Sequence, residues 1–209
     1  MWHYQMTDTD CGLCALSNGL MFRGMEFDYS TAAKMLQSRG LQLWEYSGYF
    51  FYLPLLLADY GLKSTVYLPN NEEELFSFCD KGSVDEKKLK GLIEKSYYNK
   101  YAMYFYYESF CQMQEEKKKI NIVYAAMDVL EEMKNGKVVL VNITLEEYYN
   151  KLIEDSSKHV ITLIPQGETY LAVDPYEKLG YREFENWEEC LQIAPKYDWS
   201  NFHGFAVAF

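Results

Sequence analysis

Gln5-Met6-Thr7-Asp8-Thr9-Asp10-Cys11-Gly12 decides how this chain is read. A glutamine stands six residues before a cysteine, and the cysteine opens a run with helical spacing. Far downstream, His159 opens the apolar run Val160-Ile161-Thr162-Leu163, and Asp174 follows in Ala172-Val173-Asp174-Pro175. In that order these are the residue types of nucleophilic acyl chemistry. A thiolate attacks a carbonyl, an imidazole manages the protons, a carboxylate orients the imidazole, and a side-chain amide stabilises the oxyanion.

Working outward from Cys11, the positions Cys11, Cys14, Ala15, Asn18, Gly19 and Phe22 recur at helical spacing, with Asp8, Thr9 and Asp10 available as caps. A cysteine at a helix start faces unpaired backbone N–H groups and the positive end of the dipole, which favour a thiolate. The plainer reading of a cysteine is a small buried residue. Gln5 alone reads as a surface glutamine, His159 as a structural histidine, and Asp174-Pro175 as a turn. The order and spacing of all four carry the chemical reading. His3 and His203 are rivals to His159, but His3 precedes the motif and His203 has no carboxylate suitably downstream. Cys11-Gly12-Leu13-Cys14 also fits a Cys-x-x-Cys redox pair. That fold needs a strand before the motif, and only a short polar lead-in precedes Cys11. No second Cys or His pair has zinc-ligand spacing, and neither a metal nor a cofactor is expected.

A chain of 209 residues suits one domain with a full core. Apolar residues make up 49% and aromatics 17%, with 20 tyrosines, so the chain is globular. With 31 acidic and 20 basic residues the net charge is -11, which repels phosphate backbones and disfavours nucleic acid as a partner. Five scattered cysteines argue against a disulfide framework and for a reducing compartment. The start Met1-Trp2-His3-Tyr4 shows no signal-peptide pattern, and the longest aliphatic run, Leu53 to Ala58, is too short for a membrane span. A cytoplasmic location is the resulting expectation.

Further helices are expected after Ser30 or Thr31, stopping at Gly40, and over Tyr49–Tyr60, with Pro54 moving the start towards Leu53. Ser64–Leu68 reads as a strand. Asp85–Lys95 is helical in composition, Tyr97–Phe110 is a tyrosine-rich helix or irregular segment, and Glu115–Lys119 is a solvated charge run. Residues 70–119 form an insertion or extension of the single domain 1–209, and the tyrosine-rich stretch 97–110 offers a surface to a partner protein. Val123, Ala126, Met127, Leu130 and Met133 predict an amphipathic helix over Ile122–Lys134. Strands are expected over Lys137–Ile143, His159–Leu163, Tyr170–Asp174 and Gly204–Phe209, with a hairpin at Pro165-Gln166-Gly167-Glu168 and a short helix at Trp187–Ile193. Helices first and strands later give an α+β class, with N-terminal helices packed on a C-terminal antiparallel sheet.

Gln5, Asp10-Cys11-Gly12, His159 and Asp174-Pro175 resemble, in order and type, the bacteriocin-processing cysteine peptidases that remove double-glycine leaders, within the papain-like superfamily. The separation of Cys11 from His159 matches the roughly 130–150 residues of papain-like chains. The resemblance covers the two ends of the chain and implies a papain-like cysteine peptidase fold. Cys11 is then the nucleophile, His159 the base, Asp174 the orienting residue and Gln5 the oxyanion donor, acting on a peptide or amide. Leader peptidases are usually fused to a membrane transporter, which this sequence does not show. A guanylyl-cyclase-like branch with an Asp-Cys-Gly-Leu box and acyl-transferring relatives such as phytochelatin synthase are similarly close. Transfer of the acyl group to an amine is therefore an alternative to hydrolysis. A non-catalytic peptide-binding module and a thiol-disulfide oxidoreductase using Cys11 and Cys14 remain the readings from other classes.

Overall fold

A computed structural model describes residues 10–41, 50–68, 79–80, 83–84, 100–144, 158–167, 169–175, 181–184 and 199–209. The helices are α1 (Cys11–Phe22), α2 (Tyr29–Ser38), α3 (Tyr52–Asp59), α4 (Lys100–Glu115) and α5 (Val129–Lys134). The strands are β1 (Ser64–Tyr67), β2 (Cys79–Asp80), β3 (Ser83–Val84), β4 (Ile120–Val123), β5 (Val139–Thr144), β6 (Lys158–Gln166), β7 (Thr169–Val173), β8 (Tyr181–Phe184) and β9 (Ala206–Ala208). Among the described residues, seven strands form one sheet in the order β4-β1-β9-β5-β6-β7-β8, and β2 and β3 pair separately. The class is α+β. The expectations for Asp85–Lys95 and Trp187–Ile193 lie outside the described residues.

Two corrections concern the sheet. It is mixed, because β1 and β4 pair in parallel, Ser64 opposite Ile120 and Tyr67 opposite Val123. The long crossover through α4 permits this, since parallel neighbours need a connection of a dozen residues or more. The single helix expected over Ile122–Lys134 is instead a strand, a turn and a short helix. Ile120–Val123 joins β1, and helix begins only at Val129, where the Asp128 carboxylate accepts from the Glu131 N–H at 2.9 Å. Met127 is at the same time tied to Phe202 by two backbone bonds. Tertiary pairing overrides a helical pattern here.

Burial explains the central element. Ten consecutive residues of α1, Cys11 to Leu20, are buried, because the helix runs between the sheet and α3 and touches protein on all sides. One core on its face of the sheet gathers Leu13, Leu16 and Leu20 with Leu53, Leu56, Val160, Ile164 and Val173. A second core on the other face gathers Ile161, Leu163, Tyr170 and Ala172 with Met133, Trp199 and Phe202. The alternation of Val160 and Ile164 against Ile161 and Leu163 is the strand period of two, with both faces covered. Phe110 and Met113 of α4 are fully buried in the first core, so the end of the 70–119 segment belongs to the main body of the domain.

Local signals set the helix ends. Asp28, rather than Ser30 or Thr31, caps α2, accepting from the Thr31 N–H at 2.7 Å and the Thr31 hydroxyl at 2.6 Å. Pro54 falls in the first turn of α3, where a missing N–H costs nothing. Gly167, with φ +67°, makes the tight turn from β6 to β7. The ends of three helices meet at Arg39, whose guanidinium donates to Asp59 at 2.9 and 2.5 Å and to Glu116 at 3.1 Å, while Gln112 donates to the Arg39 carbonyl at 2.9 Å. Arg39→Ala is expected to destabilise the fold by about 1–3 kcal/mol, since it strips a fork of partly buried hydrogen bonds from two carboxylates. Thermal melting should show a drop of several degrees, and an unchanged melting temperature would mean the network contributes nothing.

Candidate active site

Three of the four residues singled out in the sequence are brought together. The helix starts at Cys11 itself, with Asp10 at the N-cap position. Asp10 makes no capping hydrogen bond with its side chain, contrary to its expected role, while Asp8 and Thr9 lie outside the described residues. The first N–H groups of α1 therefore keep their dipoles at the sulfur end of the helix without a side-chain cap at Asp10.

The sheet supplies the partners of the thiol. His159 is the second residue of β6 and stands opposite Ile143 of β5. β7 pairs with β6 through Thr162 opposite Val173, which carries Asp174 to the same end of the sheet. The His159 Nε2 lies 2.8 Å from the Asp174 Oδ1. Both side chains are buried, as is Cys11, at 3%, 4% and 4% exposure. The Cys11 sulfur is the ring's other neighbour and helps to hold its proton. With Nε2 held by the carboxylate, Nδ1 is the nitrogen left to the sulfur. Burial alone would push the imidazole down, but the hydrogen bond to Asp174 and the neighbouring Cys11 more than offset it and hold His159 at about 9. A ring that holds its proton well above the ordinary histidine range, beside a carboxylate and next to a sulfur, is the arrangement a thiolate–imidazolium pair requires. His203, by contrast, is exposed. Gln5 and His3 lie outside the described residues.

Cys14, one turn along α1, has a different character. Burial, with Asp10 and Cys11 nearby, pushes its thiol up to about 12. A thiol kept protonated is a poor partner in disulfide exchange, which runs through the thiolate. Among the described residues, no group of three or more His, Cys, Asp or Glu side chains is placed to hold a metal ion. Likewise, no described helix is long and apolar enough to cross a membrane.

Sequence reasoning missed two residues of the site. The Tyr52 side chain, fully buried on α3, reaches the first turn of α1, and its phenol is pushed well up by burial and by the neighbouring Cys11. A tyrosine in the apolar run Phe50-Phe51-Tyr52-Leu53 gives no local sign of this contact. Thr162 donates to the Ala15 carbonyl at 2.7 Å and so pins β6 against α1 in the register that sets His159 at the helix start. A hydroxyl in the strand Val160-Ile161-Thr162-Leu163 was the available signal.

Gly12 completes the close packing. A Cβ there would lie 2.7 Å from the Tyr52 Oη and 3.2 Å from the Phe50 Cδ1. Tyr52 is walled in by core and has nowhere to retreat. Gly12→Ala is expected to cost about 1–3 kcal/mol of stability through overpacking. The same shift displaces the sulfur relative to the imidazole, so thiol reactivity should fall by about 10- to 100-fold. Melting and alkylation kinetics on one preparation check both, and a variant with wild-type values would show the contact to be loose.

No protein-family model matches the chain, and no curated protein matches it.

Proposed function

We propose that this chain is a thiol-dependent peptidase or amidase of papain-like architecture, with the double-glycine leader peptidases as a branch its motifs resemble. The observation that carries the reading is the buried His159 ring, bound to Asp174 at 2.8 Å and neighboured by the Cys11 sulfur at the start of the central helix.

In this reading Cys11 Sγ attacks the carbonyl carbon of a peptide or amide. The C=O electrons move onto oxygen, where the Cys11 backbone N–H and the Gln5 side-chain amide stabilise the oxyanion. His159 gives its Nδ1 proton to the departing amine as the C–N bond breaks, leaving a thioester on Cys11. The neutral ring then takes a proton from water, the hydroxide attacks the thioester, and Cys11 leaves as thiolate while His159 is again an imidazolium. Asp174 stays ionised and fixes the ring orientation throughout. An amine in place of water would make the second step an acyl transfer with the same residues.

Sub-stoichiometric iodoacetamide, followed by peptide mass spectrometry, tests the thiolate. Cys11 should be alkylated well ahead of Cys111, although Cys111 is half-exposed and Cys11 is buried. Alkylation of Cys111 at the same rate or faster would sink the proposal.

A further inference from the structure

We propose that the lysine-lined cavity at the far end of α1 from Cys11 binds a phosphorylated small molecule through its di- or triphosphate group. The cavity measures about 250 Å³ and lies where the starts of β1 and β4 meet the end of β9. Its place relative to Cys11 follows from Arg23, the residue after α1, which donates to the Phe209 carbonyl at 2.8 Å and the Gly136 carbonyl at 3.1 Å. Phe209 lines the cavity, and a helix of this length puts it about 18 Å from the thiol.

The lining reverses the charge of the chain. Lys63, Lys117, Lys118, Lys119 and Lys137 all face it, and among the described residues no aspartate or glutamate does. This occurs in a chain with 31 acidic and 20 basic residues. The lysines come from three separate segments held together by the backbone. Ser64 N–H donates to the Lys119 carbonyl at 2.9 Å, and the turn 117–119 is closed by Lys119 and Ile120 N–H groups on the Glu116 carbonyl. Two of the ammonium groups have partners: Lys137 lies 2.5 Å from Glu132, and Lys119 donates to the Ala58 carbonyl at 2.6 Å. Lys63, Lys117 and Lys118 make no ion pair among the described residues. Gathering like charges is unfavourable unless an anion sits among them.

A second, independent observation points the same way. Ser64 lines the cavity at 5% exposure, and its hydroxyl is buried without a hydrogen-bond partner among the described residues. A buried donor with no acceptor is costly, and a phosphate oxygen is the acceptor that lysines would bring to it. The volume falls below the roughly 300–1,000 Å³ of sites that enclose a drug-sized ligand. It therefore takes the phosphate group and leaves the rest of the ligand outside. Several free ammonium groups favour more than one phosphate. The net charge of -11 opposes an extended polyanion such as a nucleic acid.

Calorimetric titration of the full chain with inorganic pyrophosphate is the test, with sulfate, a single-stranded oligonucleotide and a glutamate-rich peptide as comparators. Pyrophosphate should bind at least tenfold more tightly than sulfate, and more weakly as salt rises. Ser64→Ala should weaken it about tenfold. The triple change Lys63→Gln, Lys117→Gln, Lys118→Gln should remove it while leaving iodoacetamide labelling of Cys11 unchanged. A nucleoside triphosphate binding more tightly than tripolyphosphate would assign the phosphate to a nucleotide, and equal affinities to a free polyphosphate. Equal binding of sulfate and pyrophosphate, variants that bind like the wild type, or tighter binding of the oligonucleotide or peptide would each overturn the proposal.

Discussion

Cys11→Ala is expected to abolish acyl transfer through this protein, a loss of about 10⁴- to 10⁶-fold, because removing the nucleophile from a unit that acts together removes nearly all that the unit contributes. An activated ester such as p-nitrophenyl acetate makes this measurable without knowing the natural substrate. The wild type should give a burst of nitrophenol and an acetylated protein whose modification maps to Cys11. Cys11→Ala should give neither. Its fold should persist, since alanine is smaller than the buried cysteine it replaces and leaves the rest of the core unchanged. The control is Cys14→Ala. Cys14 is pushed up to about 12 and stays a thiol at neutral pH, so its loss should leave the burst intact. A burst that survives Cys11→Ala would place the nucleophile elsewhere. A reaction that dies with Cys14→Ala would return the pair to disulfide chemistry.

What could be read from the sequence divides along the line between local and non-local physics. The bounds of α1 were legible because helical spacing, the polar lead-in and the cysteine box all act within a few residues, and the helix runs from Cys11 to Phe22. The pairing of His159 with Asp174 was legible because one hairpin with a glycine turn joins them, so the strands must return side by side. Ile120–Val123 was not legible. Its neighbours carry a helical pattern, and what makes it a strand is β1, far away in the chain. Tyr52 was invisible for the same reason: nothing in Phe51-Tyr52-Leu53 says that its hydroxyl meets Gly12. Charge told the same story in reverse. A net count of -11 describes the chain as a whole and conceals the five lysines that folding collects from three segments.

The His159–Asp174 pair yields the second large effect, and it has a pH signature that a merely structural contact would not. Asp174→Ala should lower the rate of the ester burst by about 10³- to 10⁴-fold, since the ring loses its orienting partner and keeps a buried N–H with no acceptor. Asp174→Asn should recover much of that loss, because its amide oxygen can still accept from Nε2 and hold Nδ1 towards the sulfur. Stability carries the independent readout. In the folded protein His159 keeps its proton up to about 9, whereas an ordinary histidine releases it near 6.5. Between those values the folded state binds more protons than the unfolded one, so stability falls as pH rises. The contribution is complete below about 6.5, is lost on passing 9, and is on the order of 3 kcal/mol. For a domain of this size that corresponds to a melting temperature lower by about 6–12 °C across the window. Asp174→Ala removes the main group that raises the histidine, so its melting temperature should be lower at pH 6 and should change far less between pH 6 and pH 9.5. The difference between the two curves isolates the pair from every other titrating group. Parallel curves would mean that Asp174 does not hold the proton on His159, and the proposed division of labour between them would fail even if Cys11 proved reactive.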